Sequence, residues 1–239
     1  MKIALIGYGQ MGKEIEKIAK VRGHNVTLII DENNKSDLNA EHLSNIDVAI
    51  EFSRPECAAD NYKKCFMNGV PVVSGTTGWL NKLPEIISNC EDNNTGFFYA
   101  SNFSLGVNLF FELNKKLAKL MNPFNEYSVM MNETHHTRKL DAPSGTAITL
   151  AEGLISKLHH ITKWENSKNV GQGVVPINSF REGDVPGTHE VVYDSEVDTI
   201  SIKHEAKSRK GFAVGAVIAA EFLNGKTGFY GMNDLLNIS

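Results

Sequence analysis

The densest run of chemically capable side chains reads Glu133-Thr134-His135-His136-Thr137-Arg138-Lys139-Leu140-Asp141-Ala142-Pro143-Ser144-Gly145-Thr146-Ala147. Two histidines, an arginine and a lysine fall within five residues and lead into a proline-opened helix start. That composition suits recognition of a small anion with a proton donor close by. Lysine and helix N-terminal amides together hold a carboxylate, Gly145 lets a ligand approach the backbone, and the Thr146 hydroxyl adds a donor. A histidine carries a transferable proton near neutral pH without a large pKa shift. Taken alone, the same residues also fit a solvated loop followed by an ordinary capping turn. A metal centre at His135 and His136 is not expected, because adjacent residues rarely turn to one ion and the spacing offers no third ligand. The second pair, His159-His160, reads as exposed residues at a helix end.

A second constellation opens the chain. Gly7-Tyr8-Gly9-Gln10-Met11-Gly12 is G-x-G-x-x-G, placed directly after an apolar run and opening a helical pattern. In a dinucleotide site the first glycine permits the tight turn, the second lets backbone approach the pyrophosphate, and the third allows close helix–strand packing. Asp31 follows Gly12 by 19 residues, where a carboxylate can accept hydrogen bonds from the adenosine ribose hydroxyls. A glycine turn can serve packing alone, but strand, helix and acid in these places favour nucleotide binding. A 2′-phosphate near Asp31 meets repulsion, and Glu32, Asn33 and Asn34 supply no guanidinium against it. Lys35 and Arg54 are the local cations. NADH is therefore expected to serve at least as well as NADPH.

The elements that must position these residues can be read from periodicity. Strands are expected at 2–6, 26–31, 47–53, 70–74 and 96–100, with helices at 11–22, 55–67 and 79–90 between them. The helix at 11–22 places Met11, Ile15, Ile18 and Ala19 on one face. Strands alternating with helices indicate a doubly wound parallel sheet, since parallel neighbours need a covering crossover. Residues 33–45 read as a loop or short irregular element. Past residue 104 the rhythm changes to helices at 105–120 and 144–158, and strands at 127–133, 174–180, 188–193 and 199–204. Three successive strands without helices imply a mixed or antiparallel sheet. An Ala- and Val-rich helix at 212–223 is expected to return to the first domain. The fold class is thus α/β: a Rossmann-type parallel-sheet domain (1–104 and 211–239) and a smaller α+β substrate-binding and oligomerisation domain with a mixed sheet (105–210).

Composition narrows the classes. With 239 residues, 41% hydrophobic and 22% charged, the chain is an ordinary globular protein. A net charge of −4 provides no cationic field for nucleic acid or an anionic membrane. No apolar run reaches the ~18 residues of a spanning helix, and the N-terminal run is too short for a signal peptide. Three cysteines without a C-x-x-C pair suggest neither a disulfide framework nor a zinc site; Cys57 and Cys65 read as partly buried filler. A cytoplasmic location is expected.

The segment from Glu133 to Ala147 closely resembles the signature of the dihydrodipicolinate reductase family. The resemblance extends to Gly7–Gly12 and to Glu51-Phe52-Ser53-Arg54-Pro55-Glu56, Ser74-Gly75-Thr76-Thr77-Gly78 and Ala100-Ser101-Asn102-Phe103-Ser104. It also covers Arg181-Glu182-Gly183-Asp184-Val185-Pro186-Gly187 and Ala206-Lys207-Ser208-Arg209 with Phe212-Ala213. The resemblance implies NADH- or NADPH-dependent reduction of a small ring dicarboxylate, a step of diaminopimelate and lysine synthesis. It makes His135 the proton donor and Lys139 its partner on a substrate carboxylate. His136, Gly145 and Thr146 become substrate-binding residues. Phe52, Ser53, Arg54, Gly75, Thr76, Thr77, Ala100, Ser101, Asn102 and Phe103 become cofactor-binding ones, beside the glycine turn and Asp31. It further implies a homotetramer joined through the sheet around 174–205. Glu32 stands where the family often has a basic residue. Rival readings are an aspartate- or homoserine-dehydrogenase-like enzyme, which would lack the 135–146 signature, and a nucleotide sensor without turnover.

Overall fold

The computed structural model describes residues 1–167, 170–208 and 210–238; Arg209 lies outside them. The chain divides into two compact units, Met1–Leu105 with Lys210–Ser239, and Gly106–Arg209.

In the first unit, β1 (Lys2–Ile6), α1 (Gln10–Val21), β2 (Asn25–Ile30), α2 (Ala40–Leu43), β3 (Val48–Glu51), α3 (Pro55–Met67), β4 (Val72–Ser74), α4 (Leu83–Asp92) and β5 (Gly96–Tyr99) follow in order. The strands are apolar on both faces because both faces are covered. Ile3, Leu5, Val48, Ile50, Val73 and Phe98 belong to one core, and Ala4, Ile6, Ala49, Val72 and Phe97 to the other. That is the period-2 alternation of a strand expressed as two layers. Ile15 and Ala19 of α1 are fully buried, and Met11 and Ile18 pack beside them, as the helical spacing requires. Pro55 opens α3 at its first turn, where a missing N–H costs nothing. Cys65 is fully buried on α3 rather than partly, and Cys57 is half-buried.

The second unit comprises α5 (Leu105–Met121, whose first residue belongs to the first unit), β6 (Ser128–His135), α6 (Gly145–Ile155), β7 (Lys163–Glu165), β8 (Val174–Arg181), β9 (Thr188–Asp194) and β10 (Thr199–Glu205). Its sheet runs β10-β9-β6-β8-β7 and is mixed: β6 is parallel to β8 and antiparallel to β9. β6 is thus inserted between two strands that follow one another in sequence. Apolar residues of α5 and α6, among them Phe110, Ala118, Leu150 and Leu154, cover one face with Val129, Met131, Val175, Ile177 and Val191.

The chain then returns to the first unit with α7 (Lys210–Leu223), β11 (Gly228–Tyr230) and α8 (Met232–Leu235). Ala213, Ala216, Ala219 and Ala220 are fully buried in the core that also holds β1, β3 and β4 residues, as expected for a helix returning here. The parallel sheet is completed as β2-β1-β3-β4-β5-β11. The short elements β7, β11 and α8 were not expected: each has three or four residues and lacks the buried apolar run that marks the equally short β3, β4 and β5. The helix expected at 79–90 begins instead at Leu83, after a 3₁₀ turn at Leu80–Lys82. Trp79 is withdrawn into the core, its indole N–H donating to the Thr76 carbonyl at 2.7 Å. The segment 33–45 holds a 3₁₀ turn, Lys35–Asp37, and α2.

Candidate active site

After β1 the chain steps to β2 on one side, then crosses to β3 on the other. Ligands of open α/β sheets bind outside the carboxyl ends of strands at such a reversal. A cavity of about 550 Å³ opens there, lined by Gly7, Tyr8, Gly9, Asp31, Phe52, Ser53 and Arg54 among others. Gly7 adopts φ +95°, and a Cβ on it would stand 2.1 Å from the Phe52 carbonyl oxygen. A Cβ on Gly12 would stand 2.3 Å from the Gly7 carbonyl oxygen. These two glycines are therefore required by packing. Gly9 is different: it caps α1 with no side-chain hydrogen bond, and a Cβ there would meet nothing within 4 Å. The first amides of α1 have no intrahelical acceptor, so the helix start fits a pyrophosphate.

Gly12→Ala is expected to destabilise the fold by ~2 kcal/mol or more, from backbone overlap. Gly9→Ala is expected to leave thermal unfolding within ~0.5 kcal/mol of wild type and to weaken dinucleotide binding at least about tenfold. Calorimetric titration of both variants checks the contrast; equal binding by Gly9→Ala would remove the phosphate assignment.

At one end of the cavity Asp31 is fixed by a local turn, its Oδ1 accepting from the Asn33 N–H at 2.7 Å and its own N–H donating to Asn34 Oδ1 at 2.8 Å. The cations lining the cavity are Lys35, Arg54 and also Lys64, brought in by α3. The sequence limit of two local cations is thus corrected to three. They face Asp31, Glu32 and Asp60, and Arg54 Nη2 lies 3.7 Å from Glu32 Oε2. At the other end the Phe52 ring lies on the Gly75 backbone, where a Cβ would stand 2.2 Å from it, and its centroid is 5.6 Å from that of Phe103. Thr76 Oγ1 accepts from the Ser53 N–H at 2.9 Å, tying the loops after β3 and β4 together. Beneath them Glu51, fully buried, accepts from the Ser53 N–H and hydroxyl, from Tyr62 Oη at 3.2 Å and from Ser74 Oγ at 3.0 Å. Thr77 and Ser101 are exposed, Asn102 is half-buried, and Ala100 is buried.

In the second unit the polar site grows out of one strand face. On β6 the inward alternation runs Val129, Met131, Glu133, His135, so an apolar face turns ionisable at its carboxyl end. The register sets His189 of β9 opposite Glu133, and Arg181 of β8 opposite His135. Glu133 is 1% exposed, and both of its oxygens accept from the Ser144 N–H, at 3.2 and 3.1 Å. Ser144 in turn caps α6, accepting from the Ala147 N–H at 3.2 Å, after a cis Ala142–Pro143 bond. Pro143 therefore precedes the cap instead of opening the helix.

Arg181 organises the loop between β6 and α6. Its Nη2 donates to the Asp141 carbonyl at 2.7 Å and to Glu133 Oε1 at 3.4 Å, and its Nε donates to the Lys139 carbonyl at 3.4 Å. Lys139 Nζ donates to both Asp141 carboxylate oxygens at 2.8 Å. Arg138, by contrast, pairs outward with Asp184 at 2.7 Å. His136 is half-buried at the loop start. Gly145 and Thr146 supply the first two amides of α6, and a Cβ on Gly145 would meet nothing within 4 Å.

His135 Nδ1 is sealed from solvent 3.4 Å from Glu133 Oε2, an ion-pair distance without good hydrogen-bond alignment. Burial lowers the His135 pKa, Glu133 opposes this, and Lys139 and Arg181 add to the lowering. For Glu133, burial pushes upward, but hydrogen bonds from Ser144 and Ser179 and the charge of His135 outweigh it and hold the carboxyl low. His189 is pushed down to about 4, first by burial and then by His135, and its Nε2 lies 3.1 Å from Ser144 Oγ. Glu133, His135 and His189 bring one donor atom each within 4.8 Å of one another, a third partner that spacing did not reveal. With the Arg181 guanidinium already on the same carboxylate, a further cation would be repelled, and the group is better suited to acid–base work.

The structure thus gathers His135, Lys139, Gly145 and Thr146 around one strand end and one helix start, and gathers the glycine turn, Asp31, Phe52, Ser53 and Arg54 around one cavity. Sequence reasoning gave no role to Glu133, Ser144, Arg181, His189, Glu51 or Lys64. For Glu133 a signal existed, because an acid two residues before a histidine on an inward-facing strand must share its pocket.

Glycine-lined crevices of this kind host many chemistries. A dinucleotide-type glycine turn with an acid–base group on the same chain fits the class of NAD(P)H-dependent oxidoreductases. Residues 1–103 match the dihydrodipicolinate reductase N-terminus, and residues 106–236 match the dihydrodipicolinate reductase C-terminus. The 4-hydroxy-tetrahydrodipicolinate reductase of Christiangramia forsetii is 49% identical over 99% of this chain and 98% of its own. That of Thermosipho africanus is 34% identical over the same shares. A dipicolinate-bound dihydrodipicolinate reductase from Paenisporosarcina sp. has the same fold, with TM-score 0.77 at 24% identity over 98% of this chain and 99% of its own. The chain belongs to the dihydrodipicolinate reductase family.

Proposed function

We propose that the chain is a 4-hydroxy-tetrahydrodipicolinate reductase, forming tetrahydrodipicolinate for diaminopimelate and lysine synthesis with a proton from His135. The observation that carries the site assignment is the bidentate grip of Lys139 on Asp141 beside His135 and the α6 amides. That ammonium is already arranged to hold a carboxylate, and the Asp141 side chain is 62% exposed, free to yield its place. Residues 1–104 and 211–239 serve as the dinucleotide-binding domain, and residues 105–210 bind substrate.

When bound, the reduced nicotinamide supplies a hydride. Gly7, Gly9 and Gly12 with the α1 amides would hold its pyrophosphate and Asp31 its ribose; Phe52, Gly75, Thr76, Thr77, Ala100 and Phe103 would border its reacting end. Lys139 and the Gly145 and Thr146 amides fix a substrate carboxylate, while His136 lines the same ring. As negative charge develops on the ring, His135 gives up the Nε2 proton to the adjacent carbon. The dianionic substrate raises the His135 pKa against burial and the cations, so binding itself arms the acid. Turnover of freshly generated substrate, followed by loss of reduced-nicotinamide absorbance, tests the assignment; dinucleotide binding without turnover would favour the sensor reading.

NADH would serve at least as well as NADPH, since Glu32 lies 3.7 Å from Arg54 and Asp31 lines the cavity that would take the ribose. A preference for NADPH beyond about tenfold in kcat/KM, ~1.4 kcal/mol of transition-state stabilisation, would overturn this charge argument. Met130, Val192 and Phe180 project from the sheet face opposite α5 and α6 beside the hydrogen-bonded Asn132, Asn178 and Glu190, a mixed surface through which a homotetramer would be joined. Among the described residues no helix is long and apolar enough to cross a membrane, and the cysteines are free, in keeping with a cytoplasmic enzyme.

A further inference from the structure

The mechanism above asks His135 to present a proton at one nitrogen but leaves open what governs the other. Nδ1 is sealed inside the unit, 3.4 Å from a carboxylate that is itself fully enclosed. A carboxylate buried to this degree is stable only if its charge is shared. Here Ser144 N–H shares it through two contacts and Arg181 through a third, leaving Oε2 turned toward the imidazole. The Gly187 backbone bounds the ring on its other edge, and a Cβ there would stand 3.0 Å from Nε2. The absence of a side chain keeps that nitrogen open.

We propose that Glu133 is the positioning residue for the proton donor: anchored by Ser144 and Arg181, its carboxylate, 3.4 Å from Nδ1, holds a proton on that nitrogen of His135 by its charge and so leaves Nε2 as the nitrogen that faces substrate. The inference rests on the reading of His135 as donor. In the transfer the Nε2–H bond breaks, its electrons stay on the ring nitrogen, and the substrate carbon's electron pair forms the new C–H bond. His135 ends as the neutral Nδ1–H tautomer, still beside the Glu133 carboxylate, and regains its proton from solvent. A carboxylate on the far nitrogen of a histidine fixes tautomer and ring orientation and supports the cationic form.

The groups acting on His135 are Glu133 on β6, Arg181 on β8, His189 on β9, and Lys139 and Asp141 on the loop before α6, with His204 of β10 acting on His189. Only the two carboxylates favour the imidazolium, and Glu133 acts more strongly than Asp141. Removing its charge therefore drains the acid form at lower pH.

The test uses the full-length wild type, Glu133→Gln and Glu133→Asp, with His135→Gln to assign the imidazole resonances. Glutamine keeps an acceptor for the Ser144 amide and removes the charge. In Glu133→Gln the NMR titration midpoint of His135 is expected to fall, with loss of the single Nδ1–H tautomer. The basic limb of the kcat profile should move to lower pH, cutting turnover about tenfold at pH ~8 with KM within about threefold. Glu133→Asp keeps the charge at longer reach and should recover part of both readouts; if Glu133→Gln does not fold, a smaller fall of the same sign in Glu133→Asp carries the result. An unchanged midpoint and tautomer in the folded variants would overturn the proposal. A midpoint that falls while the kcat profile stays put would instead overturn the donor reading and leave the Glu133 contact standing.

Discussion

Replacing His135 by glutamine is expected to lower kcat by about 10²-fold or more while leaving dinucleotide affinity unchanged. Glutamine is near in size and its amide can still donate to Glu133, so the pocket around this buried residue, 7% exposed, should survive. What it lacks is a proton that can leave near neutral pH. The loss therefore falls on kcat and not on KM, because the interaction removed exists only as charge appears on the substrate. The pH profile gives an independent sign. The His135 pKa is lowered by burial, Lys139 and Arg181, so the acid form, and with it wild-type turnover, drains away as pH rises through that value. In His135→Gln this limb should vanish along with most of the rate. Wild-type turnover in the variant would remove the donor assignment.

Lys139→Ala is expected to lower kcat/KM by about 10³-fold, divided between the two constants. A charge-assisted hydrogen bond to a carboxylate is worth ~1.5–3 kcal/mol, about 10- to 150-fold in binding. Its loss should appear in KM. The rest should appear in kcat, since the ring is no longer held squarely and the developing charge loses a nearby cation. Asp141 would aggravate the loss: freed of its partner at 2.8 Å, it would confront the incoming dicarboxylate with an unpaired like charge. Lys139→Ala with Asp141→Asn should therefore bind substrate better than Lys139→Ala alone. Steady-state kinetics of both variants decide this, and an unchanged KM in Lys139→Ala would take the lysine out of the carboxylate site.

Much of the architecture was open to sequence reasoning because it follows from local rules. The run 2–6 is short, apolar and stopped by glycine, and Pro55 marks a helix start, so β1 and α3 emerged at the expected residues. The glycine spacing and Asp31 belong to local turns: Gly7 takes φ +95°, Gly12 packs on the Gly7 carbonyl, and Asp31 Oδ1 accepts from the Asn33 N–H. β3, β4 and β5 are about as short as β7 and β11 but are buried apolar runs, whereas those two are partly exposed and carry no such run, which is why they escaped. Trp79 packs in an aromatic cluster with Tyr62 and Phe97, and α4 begins beyond it at Leu83 with Pro84 in its first turn, a local start signal that the expected span 79–90 passes over.

By itself, then, the order of residues determined the alternation of strands and helices, the glycine turn, and the cluster of imidazoles and cations before Ser144. These depend on neighbours a few positions away. Only the tertiary structure decided that β6 lies between β8 and β9, which places Arg181 and His189 on Glu133 and makes one acid–base group of residues up to 56 positions apart. It likewise brought Lys64 to the Asp31 cavity. Register and crossover are matters of global packing: many pairings satisfy the same local pattern, and burial of the whole core selects among them.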